Sequence, residues 1–183
     1  TQQEKRTRIE TLGWAKPANL HFAPCDFERS GAASETPNAK GGAPTSSLQS
    51  ALLDAGFDPE APSYFAWMGV TIYLERESIR ATFADALSLA APGISIAFEY
   101  ALPTQDLSGR DLLSREYSLA QKNREREPVV RFFRLSEIRA LVAEVGWKRL
   151  EPLDHEATSA AVLRDRKDQL SIHMGFRLAE AFA

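Results

Sequence analysis

Residues 64–74 read Tyr64-Phe65-Ala66-Trp67-Met68-Gly69-Val70-Thr71-Ile72-Tyr73-Leu74, the most apolar and aromatic stretch of the 183-residue chain. A continuous apolar run suits a parallel strand covered on both faces, so 64–74 is expected to form a buried strand. Gly69 inside it marks a bend or a close approach by backbone or ligand. Over 75–90, Ile79, Phe83, Ala86 and Leu87 fall on one helical face, with Glu75 and Glu77 early, where a helix dipole favours anions. Pro92-Gly93 breaks that helix, and Ile94-Ser95-Ile96-Ala97-Phe98-Glu99-Tyr100 reads as a second strand. Strand, helix, strand implies parallel pairing through a helical crossover. The fold class is therefore α/β, and ligands of such sheets bind outside the carboxyl ends of the strands.

Upstream, Leu48, Ala51, Leu52 and Ala55 recur at helical spacing, with caps at 45–47 and a stop at Gly56. Asn19-Leu20-His21-Phe22-Ala23-Pro24-Cys25 reads as a short strand that delivers Asp26, Phe27 and Glu28 to its carboxyl edge. Before it, a surface helix with Ile9 and Leu12 closes at Gly13. Downstream, 107–126 is expected to be a charged helix anchored by Leu112, Leu113 and Leu119. A further helix capped by Ser136 carries Ile138, Leu141 and Val142 and ends at Gly146. Residues 147–153 and 171–176 are expected as the last strands, and the stretch between them stays ambiguous.

Composition bounds the rest. The chain is long enough for one domain spanning 1–183. Of the 18 residues at 30–47, 15 are Gly, Ala, Ser, Thr or Pro, which predicts a flexible insertion, either an active-site cover or a tolerated surface loop. A net charge of -3 gives no basic field for nucleic acid, and no apolar run approaches a membrane span. The single Cys25 cannot form an internal disulfide, and the N-terminus lacks a secretory apolar segment, so a cytoplasmic location is expected. Thr1 in first position suggests a chain that starts at an internal point.

Strong catalytic motifs are absent from the sequence: no phosphate-cradling glycine loop, no HExxH and no Cys or His cluster at metal-ligand spacing, so no metal is expected. His21, His155 and His173 are scattered. Cys25 beside Asp26 is a poor nucleophile, because a neighbouring carboxylate raises a thiol's pKa. The carboxylates at strand ends, Asp26 and Glu99, carry more promise. Either can accept hydrogen bonds from a ligand, and either can instead cap the next helix.

Asp26-Phe27-Glu28, then Ala55-Gly56-Phe57-Asp58-Pro59-Glu60-Ala61-Pro62, then Ala66 to Leu74, resemble the leucine carboxyl methyltransferase-like family of class I S-adenosylmethionine-dependent methyltransferases, in particular its bacterial branch. Leu135-Ser136-Glu137-Ile138 through Val145-Gly146-Trp147 is similar to the helix and turn before that fold's last strands. The resemblance implies a Rossmann-like methyltransferase sheet with helices on both faces, of which this chain is the central and C-terminal part, lacking the first strands and the glycine-rich loop. It implies S-adenosyl-L-methionine as cofactor, with Asp26 at the adenine amino group, the Phe27 amide near the adenine ring, and Trp67, Met68 and Gly69 toward the methionine part. Many relatives carry Glu where Met68 stands. Tyr73 is the substrate-side candidate. The expected function is O-methylation of a small carboxylic or hydroxyl acceptor; the competing reading is a non-catalytic binding module that keeps the fold without the site. An open sheet edge would invite self-association.

Overall fold

The structure is a computed structural model and describes residues 2–30, 47–89, 93–124, 129, 131–168 and 175–183. Most of the insertion expected at 30–47 lies outside the described residues, as does 171–174. In chain order the elements are α1 (Gln2–Thr11), α2 (Phe27–Ser30), α3 (Leu48–Asp54), β1 (Tyr64–Trp67), α4 (Arg76–Ser88), β2 (Ser95–Ala101), α5 (Gly109–Arg124), α6 (Leu135–Val145), β3 (Arg149–Pro152), α7 (His155–Leu163) and β4 (Phe176–Phe182). Four strands form one sheet in the order β1-β2-β4-β3. β1 and β2 are parallel and joined through α4, as expected. β4 runs antiparallel to both neighbours and lies between β2 and β3.

β2 explains the layering. Its large residues Ile96, Phe98 and Tyr100 alternate with Ser95, Ala97, Glu99 and Ala101, so two chemically different faces result. The first face, extended by Trp67, Leu150, Ala179 and Ala181, buries the main core against Ile79, Phe83 and Ala86 of α4 and Ile138, Leu141 and Val142 of α6. Phe83 is the centre of that core: its ring meets Trp67 at 5.5 Å, Phe98 at 4.9 Å and Trp147 at 6.4 Å, all near edge-to-face. Gly146, at φ 109°, takes the left-handed turn that ends α6 and sends the chain into β3. α5 covers the carboxyl end of the second face, around Ala101 and Phe176, so helices flank the sheet.

Carboxylates tie the smaller helices to α4. Glu28 of α2 accepts from the Glu75 amide at 2.9 Å and the Ser78 hydroxyl at 3.2 Å, at the start of α4. Asp85 of α4 accepts from the Leu48 amide at 2.7 Å, at the start of α3. Both place an anion where a helix presents unsatisfied N–H groups.

Several expectations are corrected. The strand expected at 19–25 is absent: the segment pairs with no strand and lies along α1, where the Gln2 side chain donates to the Ala23 carbonyl at 2.6 Å and Arg6 sits 4.6 Å from the Phe22 ring. A strand exists only with a ladder partner, and Pro24 lacks an N–H to offer one. The strand expected over 64–74 stops at Trp67, because Gly69 turns with φ 74° and residues 71–73 form a 3-10 turn. Nor is β1 buried throughout, since Tyr64 is 62% exposed. Leu113 is no anchor for α5, being 66% exposed. Ser136 does not cap α6; the Arg134 amide, one residue before the helix, donates to Glu137 at 2.6 Å instead. The final strand runs over 176–182, with 171–174 of the stretch expected for it outside the described residues, and the ambiguous stretch before it contains α7, capped by Asp154, which accepts from the Ala157 amide at 2.7 Å.

Burial of Tyr100 pushes its phenol pKa up, with Arg177 and Arg139 partly opposing. A raised folded pKa means that its contribution to stability is complete below the unfolded value of about 10 and lost as pH rises through the folded value. The melting temperature of the parent should therefore fall more steeply than that of Tyr100→Phe above about pH 10.

Candidate functional site at the carboxyl ends of β1 and β2

Where β1 ends, its backbone leaves the sheet and is caught by β2. The Gly69 amide donates to Glu99 Oε1 at 2.9 Å, and the buried Thr71 hydroxyl donates to the Glu99 carbonyl at 2.7 Å. Gly69 has a left-handed φ, and a Cβ built there meets nothing within 4 Å, so its Cα faces open space. The 3-10 turn that follows places Ile72 and Tyr73 beside a cavity of about 250 Å³. Glu99 and Ala101 of β2 and Phe176 of β4 line one side, while Arg115, Leu119 and Lys122 of α5 line the other. The Phe133 amide donates to the Ala101 carbonyl at 2.8 Å, which brings Phe132 to the cavity as well.

Arg115 holds α5 in place. It is only 3% exposed, and its guanidinium donates to the Leu102 carbonyl at 2.8 Å and the Gly175 carbonyl at 2.7 Å. It lies 5.1 Å from the Phe132 ring centre and 5.2 Å from that of Phe176. Burial pushes its pKa down. Lys122, two turns along the helix, sits 5.5 Å over the Tyr73 ring. Among the described residues the cavity is thus mainly apolar, with Glu99, Arg115 and Lys122 as the charged groups on its wall.

Of the residues singled out from the sequence, Gly69 and Tyr73 line the cavity, and Glu99 joins them. Trp67 is in the main core, 5.8 Å from the Phe27 ring, and its indole N–H finds no partner among the described residues. Phe27 packs against that same side of the sheet. Met68 is 45% exposed and Asp26 is exposed just before α2; neither lines the cavity. Arg115 was not anticipated, because a cation in a charged helix reads as surface. The available sign was its spacing: Leu112 and Leu119 stand three residues before and four after it, on the same helical stripe.

A mixed α/β sheet flanked by helices, with a small cavity at the carboxyl ends of its parallel strands, is a Rossmann-like arrangement, and sheets of this kind bind their ligands at that edge. The family model for leucine carboxyl methyltransferase matches residues 43–86, which include α3, β1 and most of α4. YktD of Bacillus subtilis, provisionally named an S-adenosyl-L-methionine-dependent methyltransferase, is 28% identical over 171 residues, covering 93% of this chain and 51% of that protein. A protein of Mycobacteroides abscessus with the same provisional description is 33% identical over 99 residues, covering 53% of this chain and 32% of its own length. The chain is thus similar to leucine carboxyl methyltransferase over residues 43–86 and to relatives provisionally described as S-adenosyl-L-methionine-dependent methyltransferases, a class whose cofactor is S-adenosyl-L-methionine. It spans about half the length of the Bacillus relative. Among solved structures, human N-acetylserotonin methyltransferase in complex with S-adenosylmethionine aligns with 69% of this chain and 31% of its own, at 14% identity and a TM-score of 0.45, too distant to bear on function. No helix among the described residues is long and apolar enough to cross a membrane.

Proposed function

We propose that this chain forms the acceptor side of an O-methyltransferase for a small carboxylic or hydroxyl compound. The cavity where β1 and β2 end is the observation that carries the reading. At about 250 Å³ it lies just below the usual range of roughly 300–1,000 Å³ for ligand pockets, which favours a compact acceptor.

The residues present suit part of the cofactor. Its methionyl end carries an ammonium and a carboxylate, and the cavity wall offers Glu99 for the first and cations for the second. Gly69 leaves room for close approach. On the adenine side the proposed contacts are the Asp26 carboxylate and the Phe27 amide, with Trp67 and Met68 between the two ends. When bound, S-adenosyl-L-methionine supplies a methyl group already activated on a sulfonium centre, so the protein's task is mostly position. Tyr73 and Phe132 confine the acceptor beside Gly69, and the apolar lining excludes water. An acidic acceptor arrives ionised and needs no base; Arg115 and Lys122 favour it by charge. A hydroxyl acceptor must give up a proton, and Glu99 is the carboxylate among the described lining residues. The single Cys25 suits a reducing cytoplasm, and the edge of β1, unpaired among the described residues, is the surface through which two copies would associate.

Calorimetric titration with S-adenosylhomocysteine tests this. Saturable heat is expected, weakened about tenfold or more in Asp26→Ala, the loss of one charged hydrogen bond. A folded chain that gives no heat would favour the non-catalytic module, a reading supported by the packing of Trp67 and Phe27 into the main core, away from the cavity.

A further inference from the structure

Glu99 is the only carboxylate of β2, a strand whose other side chains are small, apolar or the phenol of Tyr100. Placing a half-buried carboxylate there is unfavourable unless it is used, since burial penalises a charge without partners. Two bonds show the use. Its carboxylate takes the Gly69 amide, which left the ladder when β1 ended, and its carbonyl takes the Thr71 hydroxyl. One residue therefore fixes both ends of the bend between Trp67 and the 3-10 turn that carries Tyr73. Its second carboxylate oxygen has no partner among the described residues, and the side chain lines the cavity.

We propose that Glu99 is the positioning residue of this site: it holds the Gly69 bend in its left-handed form and so presents Gly69 and Tyr73 to the ligand. The ligand part of this proposal rests on the methyltransferase reading above; the hold on the loop does not. Glu99→Ala removes the acceptor, whereas Glu99→Gln keeps an oxygen at the same place without the charge. Amide hydrogen exchange of the unliganded chain, followed by S-adenosylhomocysteine titration, separates the two. In Glu99→Ala, exchange at Gly69 should rise about tenfold or more, as expected for loss of a charge-assisted hydrogen bond. Amides of β2 should be unchanged, and Glu99→Gln should restore much of the protection. Ligand affinity should fall about tenfold in Glu99→Ala and recover in part with Gln. Unchanged Gly69 exchange in Glu99→Ala overturns the proposal. So does a loosened bend that leaves affinity intact. A parent chain that binds no S-adenosylhomocysteine sinks the methyltransferase reading instead, and the exchange result alone then decides whether Glu99 holds the loop.

Discussion

Phe83→Ala should cost about 3–5 kcal/mol of unfolding free energy, the range for truncating a fully buried aromatic. Phe83 is 0% exposed and meets three other aromatic rings. Its loss opens a void between α4 and β2 that neither element can close, because both are fixed by other contacts: α4 by Glu28 and Ile79, β2 by ladders on either side. The Trp147 indole donates to the Phe83 backbone carbonyl at 3.1 Å, a bond that the substitution leaves in place. The effect should therefore report packing alone. Against a typical domain stability of about 5–15 kcal/mol, such a loss populates the unfolded state visibly. Denaturant titration checks it, with Phe83→Leu expected to cost about half as much or less, since most of the volume is kept.

Arg115→Ala should act differently, by about 2–3 kcal/mol and in one place. Two charge-assisted hydrogen bonds disappear, although the cost of burying the guanidinium disappears with them. Gly175 keeps a partner, because its carbonyl also accepts from the Leu102 amide at 2.9 Å, whereas the Leu102 carbonyl is left without its donor. Arg115 is the one buried residue of α5, so the helix should detach before the sheet unfolds. Limited proteolysis or hydrogen exchange should show residues 109–124 loosening while β2 and β4 stay protected. Lysine should rescue little, since a single ammonium cannot reproduce the planar fork that reaches two carbonyls between two rings. Equal protection of α5 in Arg115→Ala and the parent would remove Arg115 from its assigned place as the anchor of the cavity roof.

The contrast between these two residues shows what sequence can reveal. Phe83 was legible because Ile79, Phe83 and Ala86 follow a helical period and β2 presents Ile96, Phe98 and Tyr100 at strand spacing. Arg115 was hidden because its environment, not its type, makes it a core residue. The stretch 64–74 misled for a related reason: continuous apolarity fits a strand, a buried turn or a 3-10 segment equally well, and only Gly69 marked the break. At 19–25 the residues have strand character without a partner, and pairing is a property of the whole sheet. The family resemblance was legible in 55–62 and 66–74, and the matched family model, at 43–86, spans both. The site was legible only in part, since Gly69, Tyr73 and Glu99 converge while Asp26 and Phe27 stand elsewhere.

The position of β4 bears on how the molecule assembles. The last strand among the described residues is an inner one, flanked by β2 and β3, which are not neighbours in the sheet. Residues 95–101 must therefore wait for residues 176–182, a separation that makes this ladder a slow, long-range step. Until it forms, β2 carries a bare edge of buried, apolar character. During synthesis that edge is open to mispairing until the last strand emerges.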